Sequence, residues 1–191
     1  MRVVRASQHR IMPWKNGQGS TTEIAVCPEG AGLDDFDWRV SMATVRADGP
    51  FSLFAGIDRT LSVLQGDGIR LSLEEQPAVE LTAASESFSF PGDVRAVATL
   101  LGGGITDLNV MSRRDGPKHR VQRVGVDGAA QVETTAPTVL LFCKSGRLEI
   151  ETSDGPVRLD PHDALLAEAV QPARWRLTGS VGSTVFSIEF F

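Results

Sequence analysis

Along most of the chain apolar and polar residues alternate one for one. The pattern runs through TEIAV (22–26), WRVSMATV (38–45), IRLSL (69–73), ESFSF (86–90), DLNVMS (107–112), RLEIET (147–152), ARWRL (173–177) and TVFSIEF (184–190). A period of two puts alternate side chains on opposite faces of an extended strand, and no long segment keeps the 3.6-residue rhythm of an amphipathic helix. The chain is expected to be all-β. The breaks carry turn chemistry: Gly66-Asp67-Gly68 between Leu61–Gln65 and Ile69–Leu73, and Asp154-Gly155 between Leu148–Thr152 and Val157–Leu159. Both predict tight hairpins.

The two halves share an order of features: a strand, a glycine turn, an alternating strand, then Pro-x-Asp before an apolar strand. The marks are Pro91-Gly92-Asp93-Val94 and Pro161-His162-Asp163-Ala164. Two antiparallel units that each close on themselves would solve the edge-strand problem, and a shared face would supply core that neither buries alone. The architecture expected is a bicupin, two jelly-roll-like β-barrels packed so intimately that they act as one domain. The division expected is an N-terminal lobe over 1–114, a polar, glycine-containing crossover over 115–135 and a C-terminal lobe over 136–191.

Composition narrows the function classes. Of 191 residues, 41% are hydrophobic and 23% charged, the balance of a soluble globular chain rather than a disordered one. A formal net charge of −5 lacks the basic excess with which proteins neutralise phosphates, so nucleic acid is not an expected partner. The opening MRVVRASQHR lacks the apolar core of a leader, and runs such as Thr138–Cys143 are too short to span a bilayer. A soluble, cytoplasmic protein with no membrane partner is expected. Cys27 and Cys143 stand far apart and outside any CxxC pattern, which predicts buried, inert thiols.

Metal-binding cupins gather three or four imidazole or carboxylate ligands, usually starting from two histidines one residue apart. This chain has three histidines, His9, His119 and His162, widely separated and none in an HxH pair. All three read as surface or turn residues, and neither a metal nor another cofactor is expected. There is no tyrosine to serve as a general acid and no GxSxG elbow. The run Leu101-Gly102-Gly103-Gly104 lacks the Lys-Ser/Thr or helix N-terminus of a phosphate cradle and reads as a turn.

Polar residues in unusual places remain. Met12-Pro13-Trp14-Lys15-Asn16-Gly17-Gln18-Gly19 sets an aromatic, a cation, an amide and two glycines outside any periodic strand. It suits either a ligand loop or a plain glycine turn with Trp14 in the core. In 38–42, Arg39 and Ser41 share one face, opposite Trp38, Val40 and Met42; they line a cavity if that face is inward and water if it is not. Asp107, Asn109, Met111 and Arg113 likewise share a face. Arg, Asn and Ser converging would suit a carboxylate beside an amide or formyl group, because a guanidinium forks to carboxylate and an amide both donates and accepts.

The stretches PWKNGQGSTTEI (13–24), FDWRVSMATVRADGPFSLFAGIDRTLSVLQGDGIRL (36–71), FPGD (90–93) and DLNVMSRR (107–114) resemble the HutD/Ves family, bicupins often associated with histidine utilisation. They cover the first two-thirds of the chain, and the second lobe matches only in its strand pattern. The chain has Gln18 where the family usually has a further glycine, and Thr22 where it usually has arginine. The resemblance implies a pocket lined by Lys15, Asn16, Arg39, Ser41, Arg59, Asn109 and Arg113. It also implies an acidic metabolite of histidine breakdown, N-formyl-L-glutamate or urocanate, as ligand, and a role in limiting that pathway.

Two readings follow. The preferred one is a metal-free binding protein that modulates histidine utilisation. The alternative is a metal-free isomerase or hydrolase of a small acidic metabolite, with Lys15 or Glu23 carrying a proton and Arg39 clamping the anion. A purely structural interaction module would require these polar residues to face solvent. A homodimer is compatible with either reading.

Overall fold

The computed structural model describes all of residues 1–191. The chain forms strands β1 (Arg2–Val4), β2 (Arg10–Pro13), β3 (Gly19–Cys27), β4 (Trp38–Val45), β5 (Gly49–Pro50) and β6 (Ile57–Gln65). Next come β7 (Ile69–Leu73), β8 (Val79–Leu81), β9 (Phe88–Pro91), β10 (Ala96–Leu100), β11 (Ile105–Arg113) and β12 (His119–Thr134). The last are β13 (Thr138–Ser145), β14 (Leu148–Thr152), β15 (Gly155–Leu159), β16 (Ala164–Glu168) and β17 (Ala173–Phe190). One short 3-10 turn, Ala6–Gln8, is the only helical element, and no helix is long and apolar enough to cross a membrane. The all-β bicupin expected from the alternation is the fold observed.

The chain divides into two compact units, Arg10–Lys118 and Met1–His9 with His119–Phe191. This differs from a division at 114 and 136 in two ways. The first nine residues leave the N-terminal lobe, because β1 pairs antiparallel with β16 and Arg5 Nη1 bonds Asp163 Oδ2 at 2.7 Å. The segment 115–135, expected as a crossover, is mostly β12, paired with β17 from His119↔Phe190 to Thr134↔Ala173. It looks polar because only alternate positions turn inward: odd ones at its start, where His119, Val121 and Arg123 are half-buried, and mostly even ones from Val124 on. Val124, Val126, Ala130 and Val132 pack on the core of that unit, while the odd positions from Gly125 to Glu133 are solvent-facing, as one-sided antiparallel strands allow.

Unit Arg10–Lys118 has a six-stranded sheet, β2-β3-β4-β11-β6-β9, and a four-stranded sheet, β5-β10-β7-β8. The two face each other across one apolar core. Ala43, Val45, Leu61, Val63, Phe90 and Ile105 come from the first sheet; Ile69, Leu71, Leu73, Leu81, Ala96 and Ala98 come from the second. Gly66-Asp67-Gly68 is not a hairpin, since β6 pairs with β11 and β9 whereas β7 pairs with β10 and β8. It is the corner where the chain changes sheets. A Cβ at Gly66 would come within 2.7 Å of the Gly104 carbonyl and one at Gly68 within 2.4 Å of the Leu81 carbonyl, both at positive φ. Those glycines serve close backbone approach as well as turning. The Asp154-Gly155 hairpin is present, closed by the Thr152↔Gly155 pair.

The other unit is built on one seven-stranded sheet, β1-β16-β13-β17-β14-β15 with β12 against β17. Cys143 lies fully buried in its core, and burial pushes its thiol up to about 12. It is an inert packing residue. Cys27 is half-buried and not disulfide-bonded. His162 occupies its turn with a positive φ of 71° and stacks on Phe142. His119, read as surface or turn, instead lies half-buried in β12. His9 lies half-buried too, and burial pulls its imidazole below its ordinary range.

Candidate ligand-binding site

The barrel of unit Arg10–Lys118 is not filled end to end. Its core packs one part of the space between the sheets, and the remainder is a cavity of about 390 Å³. That volume suits a small metabolite. Three central strands supply the wall in register. Arg39, Met111 and Arg59 lie in one row across β4, β11 and β6; Ser41 and Asn109 lie in the next; Ala43 and Asp107 in the next. Period two along each strand then aims Arg39, Ser41 and Ala43, and Asp107, Asn109 and Met111, into the cavity. The opposite face of β4 is buried as well, with Trp38, Val40 and Met42 at 7% exposure or less.

Arg59 is 6% exposed. Its guanidinium lies 5.0 Å from the ring centre of Phe51, 5.6 Å from Phe54 and 5.2 Å from Phe90, a cage in which cation–π attraction offsets part of the lost hydration. Nη2 donates to Asn109 Oδ1 at 2.7 Å and Nη1 to the Ser52 carbonyl at 3.3 Å, while Nε has no partner. Burial pulls this guanidinium down to about 10, with Asp107 working the other way. It still carries its charge at neutral pH.

Arg39, 4% exposed, gives Nε to Glu23 Oε2 at 2.8 Å. The pair leaves the Nη edge of the fork for another acceptor. A β-bulge between Glu23 and Ala25 holds Glu23 opposite Ser41 beside Arg39 and then turns the strand's other residues over, a device common next to functional sites.

Asp107 is the deepest polar group. It is fully buried, it accepts a hydrogen bond from Asn109 Nδ2, and its second oxygen has no partner. Burial pushes its carboxyl up to about 7, only partly opposed by the charge of Arg59. The Asn109 amide is thereby oriented from both ends: its oxygen receives Arg59 and its nitrogen serves Asp107.

The mouth is formed by the 14–18 loop. Trp14 Nε1 donates to Thr21 Oγ1 at 2.9 Å, and the Trp14 N–H donates to the Gly19 carbonyl at 2.9 Å. Trp14 both packs on the core and lines the cavity. Lys15, Asn16 and Gln18 are exposed at the rim, and Asn16 and Gln18 bond each other.

Six of the seven residues implied by the family resemblance, Lys15, Asn16, Arg39, Ser41, Arg59 and Asn109, therefore line one cavity. Arg113 does not. It lies at the end of β11 and bonds Asp115 at 3.0 Å, beyond the stretch where inward alternation meets the cavity. The adjacent Arg114 ties Asp58 to Asp93, at 3.0 and 2.9 Å, so the Gly-Ile-Asp-Arg and Pro-Gly-Asp motifs meet in a structural clasp. Thr22 faces away from the cavity. The sequence reading missed Asp107 as a site residue although it shares a strand face with Asn109, and it missed the phenylalanine cage, for which GPFSLF was the signal. His, Cys, Asp and Glu side chains form no group of three or more able to hold a metal ion.

The HutD family model matches residues 6–185. A 21.2 kDa uncharacterised protein encoded in the hutC 3' region of Pseudomonas putida is 38% identical over 180 residues, covering 90% of this chain and 93% of that protein. A conserved protein of unknown function from Pseudomonas aeruginosa superposes with a TM-score of 0.92 at 40% identity, over 99% of this chain and 97% of the other. HutD from Pseudomonas fluorescens, in a formate condition, superposes at 0.85 with 33% identity and the same coverage. A cupin 2 barrel protein from Leptotrichia buccalis, at 6% identity and a TM-score of 0.53, shares the fold alone.

Proposed function

Because this chain belongs to the HutD family, which is associated with histidine utilisation, we propose that it is a cytoplasmic, small-molecule-binding bicupin whose cavity takes an acidic metabolite of that pathway, N-formyl-L-glutamate or urocanate, and that occupancy modulates histidine breakdown. The observation that carries the reading is Arg39 and Arg59 on one cavity wall, two strands and so about 9.5 Å apart, both buried, Arg59 with its Nε unpartnered and Arg39 paired through Nε to Glu23. Holding two guanidiniums out of water is costly, and an incoming carboxylate repays that cost through charge-assisted, forked hydrogen bonds. Asn109 and Ser41 between them offer the donor and acceptor that a formamide or imidazole needs. The HutD structure of the formate condition fits the same chemistry, since formate is the smallest carboxylate.

Thermal melts with N-formyl-L-glutamate, urocanate, formiminoglutamate and glutamate test this directly. A ligand at a hundred times its dissociation constant adds about 2.7 kcal/mol, or roughly 5 to 10 °C for a domain of this size. The expected result is a shift for N-formyl-L-glutamate or urocanate that survives chelation, is abolished by Arg39→Ala and is unchanged in Arg113→Ala. Turnover of the bound compound would make the protein an enzyme instead, and a flat response to the whole panel would remove the pathway ligand.

A further inference from the structure

The cavity holds one acidic group among its cations, and the direct contacts leave that group without a charge partner. Arg59, the nearest cation, commits Nη2 to the Asn109 oxygen rather than to the carboxylate. Arg39 is paired with Glu23, and Lys15 is out at the rim. Those four, from β6, β4, β3 and the 14–18 loop, are the charged groups that line the cavity with Asp107 or pair with its lining; Asp58 on β6 and Arg113 on β11 lie outside the lining, in ion pairs with Arg114 and Asp115. The cross-strand neighbours of Asp107 are Ala43 and Val63, which offer no hydrogen bond. One carboxyl oxygen is held by Asn109 and the other meets nothing, at a β-bulge between Thr106 and Asp107 in the pairing with β6.

We propose that Asp107 is the charge-selecting residue of the cavity, binding its own proton whenever an anionic ligand occupies the arginine wall, so that binding of the anion is coupled to uptake of one proton. This rests on the pocket reading above. The reasoning is electrostatic. A carboxylate already deprived of water is disfavoured further by a second negative charge in the same low-dielectric space, as in paired carboxylates that share a site. Neutral Asp107 relieves that repulsion and keeps a carbonyl oxygen for Asn109, so the amide stays oriented toward Arg59. Ionised Asp107 instead opposes the ligand. In the empty protein burial has already moved this carboxyl to about 7, so the two states exchange near neutral pH. Asp107 acts as a positioning residue, through Asn109 and through charge.

The test is affinity against pH, measured calorimetrically with whichever of N-formyl-L-glutamate and urocanate binds. Between about pH 7 and pH 9 neither compound changes its own charge appreciably. The wild type is expected to lose affinity by up to about tenfold for each pH unit. The binding heat should also vary with the ionisation enthalpy of the buffer, by the amount one proton requires. Asp107→Asn, a permanently neutral mimic that can still accept from Asn109, should bind at pH 8 at least as tightly as the wild type and show no slope. Affinity that is flat or rises with pH in the wild type, or a slope kept in Asp107→Asn, overturns the inference and leaves the pocket reading standing. Should the variant fold poorly, the wild-type slope and the buffer dependence decide alone. No binding of either compound at any pH removes the pocket reading and the inference with it.

Discussion

Single residues at this site are held in states they would not choose in water. Asp107 shows the cost most clearly. Its carboxyl is raised from the ordinary range to about 7, so between those values the folded protein holds a proton the unfolded chain has released. Stability from this residue is therefore greatest in acid and declines as pH rises to about 7, after which it is level. A shift of this size corresponds to about 4 kcal/mol at most. Asp107→Asn is expected to be more stable than the wild type at pH 8 and close to it at pH 4, as urea unfolding at the two values would show. Equal stability at both would mean the carboxyl is ionised in the folded state at little cost. Arg59 is the counterweight: burial lowers its guanidinium to about 10, with Asp107 working the other way, so it stays charged at neutral pH among Phe51, Phe54 and Phe90.

Elements convert a readable pattern into a site that is only partly readable. Alternation in WRVSMATV and DLNVMS predicts which residues share a face, and β4 and β11 hold them there. It does not reveal that both faces are buried, because Arg39 and Ser41 in a strand read equally well as a wet face. Nor could it reveal the bulges at Ile24 and Leu64, which depend on how neighbouring strands pair. Gly66-Asp67-Gly68 misled for a related reason: the same glycines that close a hairpin also serve a corner between sheets. Among the loops, 14–18 depends on Gly19, where a Cβ would fall 2.2 Å from the Thr44 carbonyl and 2.9 Å from the Trp14 ring. Gly19→Ala is expected to cost about 3 kcal/mol and, by shifting Trp14, to weaken ligand binding as well. A variant with wild-type melting and binding would show that the loop relaxes freely.

At the scale of the whole molecule the chain does not simply run through one barrel and then another. Residues Met1–His9 belong with His119–Phe191, and Arg10–Lys118 lie between them in sequence. The Pro-x-Asp repeat hinted at duplication but could not show this exchange, because β1 has only three residues and no alternation long enough to assign. Three observations tie it down: the β1–β16 pairing, the Arg5–Asp163 bond and the Ala6 N–H donated to Asp163 Oδ1 at 2.8 Å. Deleting residues 2–9 should speed amide hydrogen exchange in β16 and β13 while leaving β4, β6 and β11 protected. Uniform loss of protection would mean the two units unfold together.

That exchange also bears on how the protein is made. The unit that holds the cavity is complete once Lys118 has left the ribosome, whereas the first nine residues await β16, more than 150 positions later in the chain. At about 5–20 residues per second, the opening strand spends roughly ten to thirty seconds without its partner. The cavity can thus be formed before the barrel that carries both ends of the chain exists.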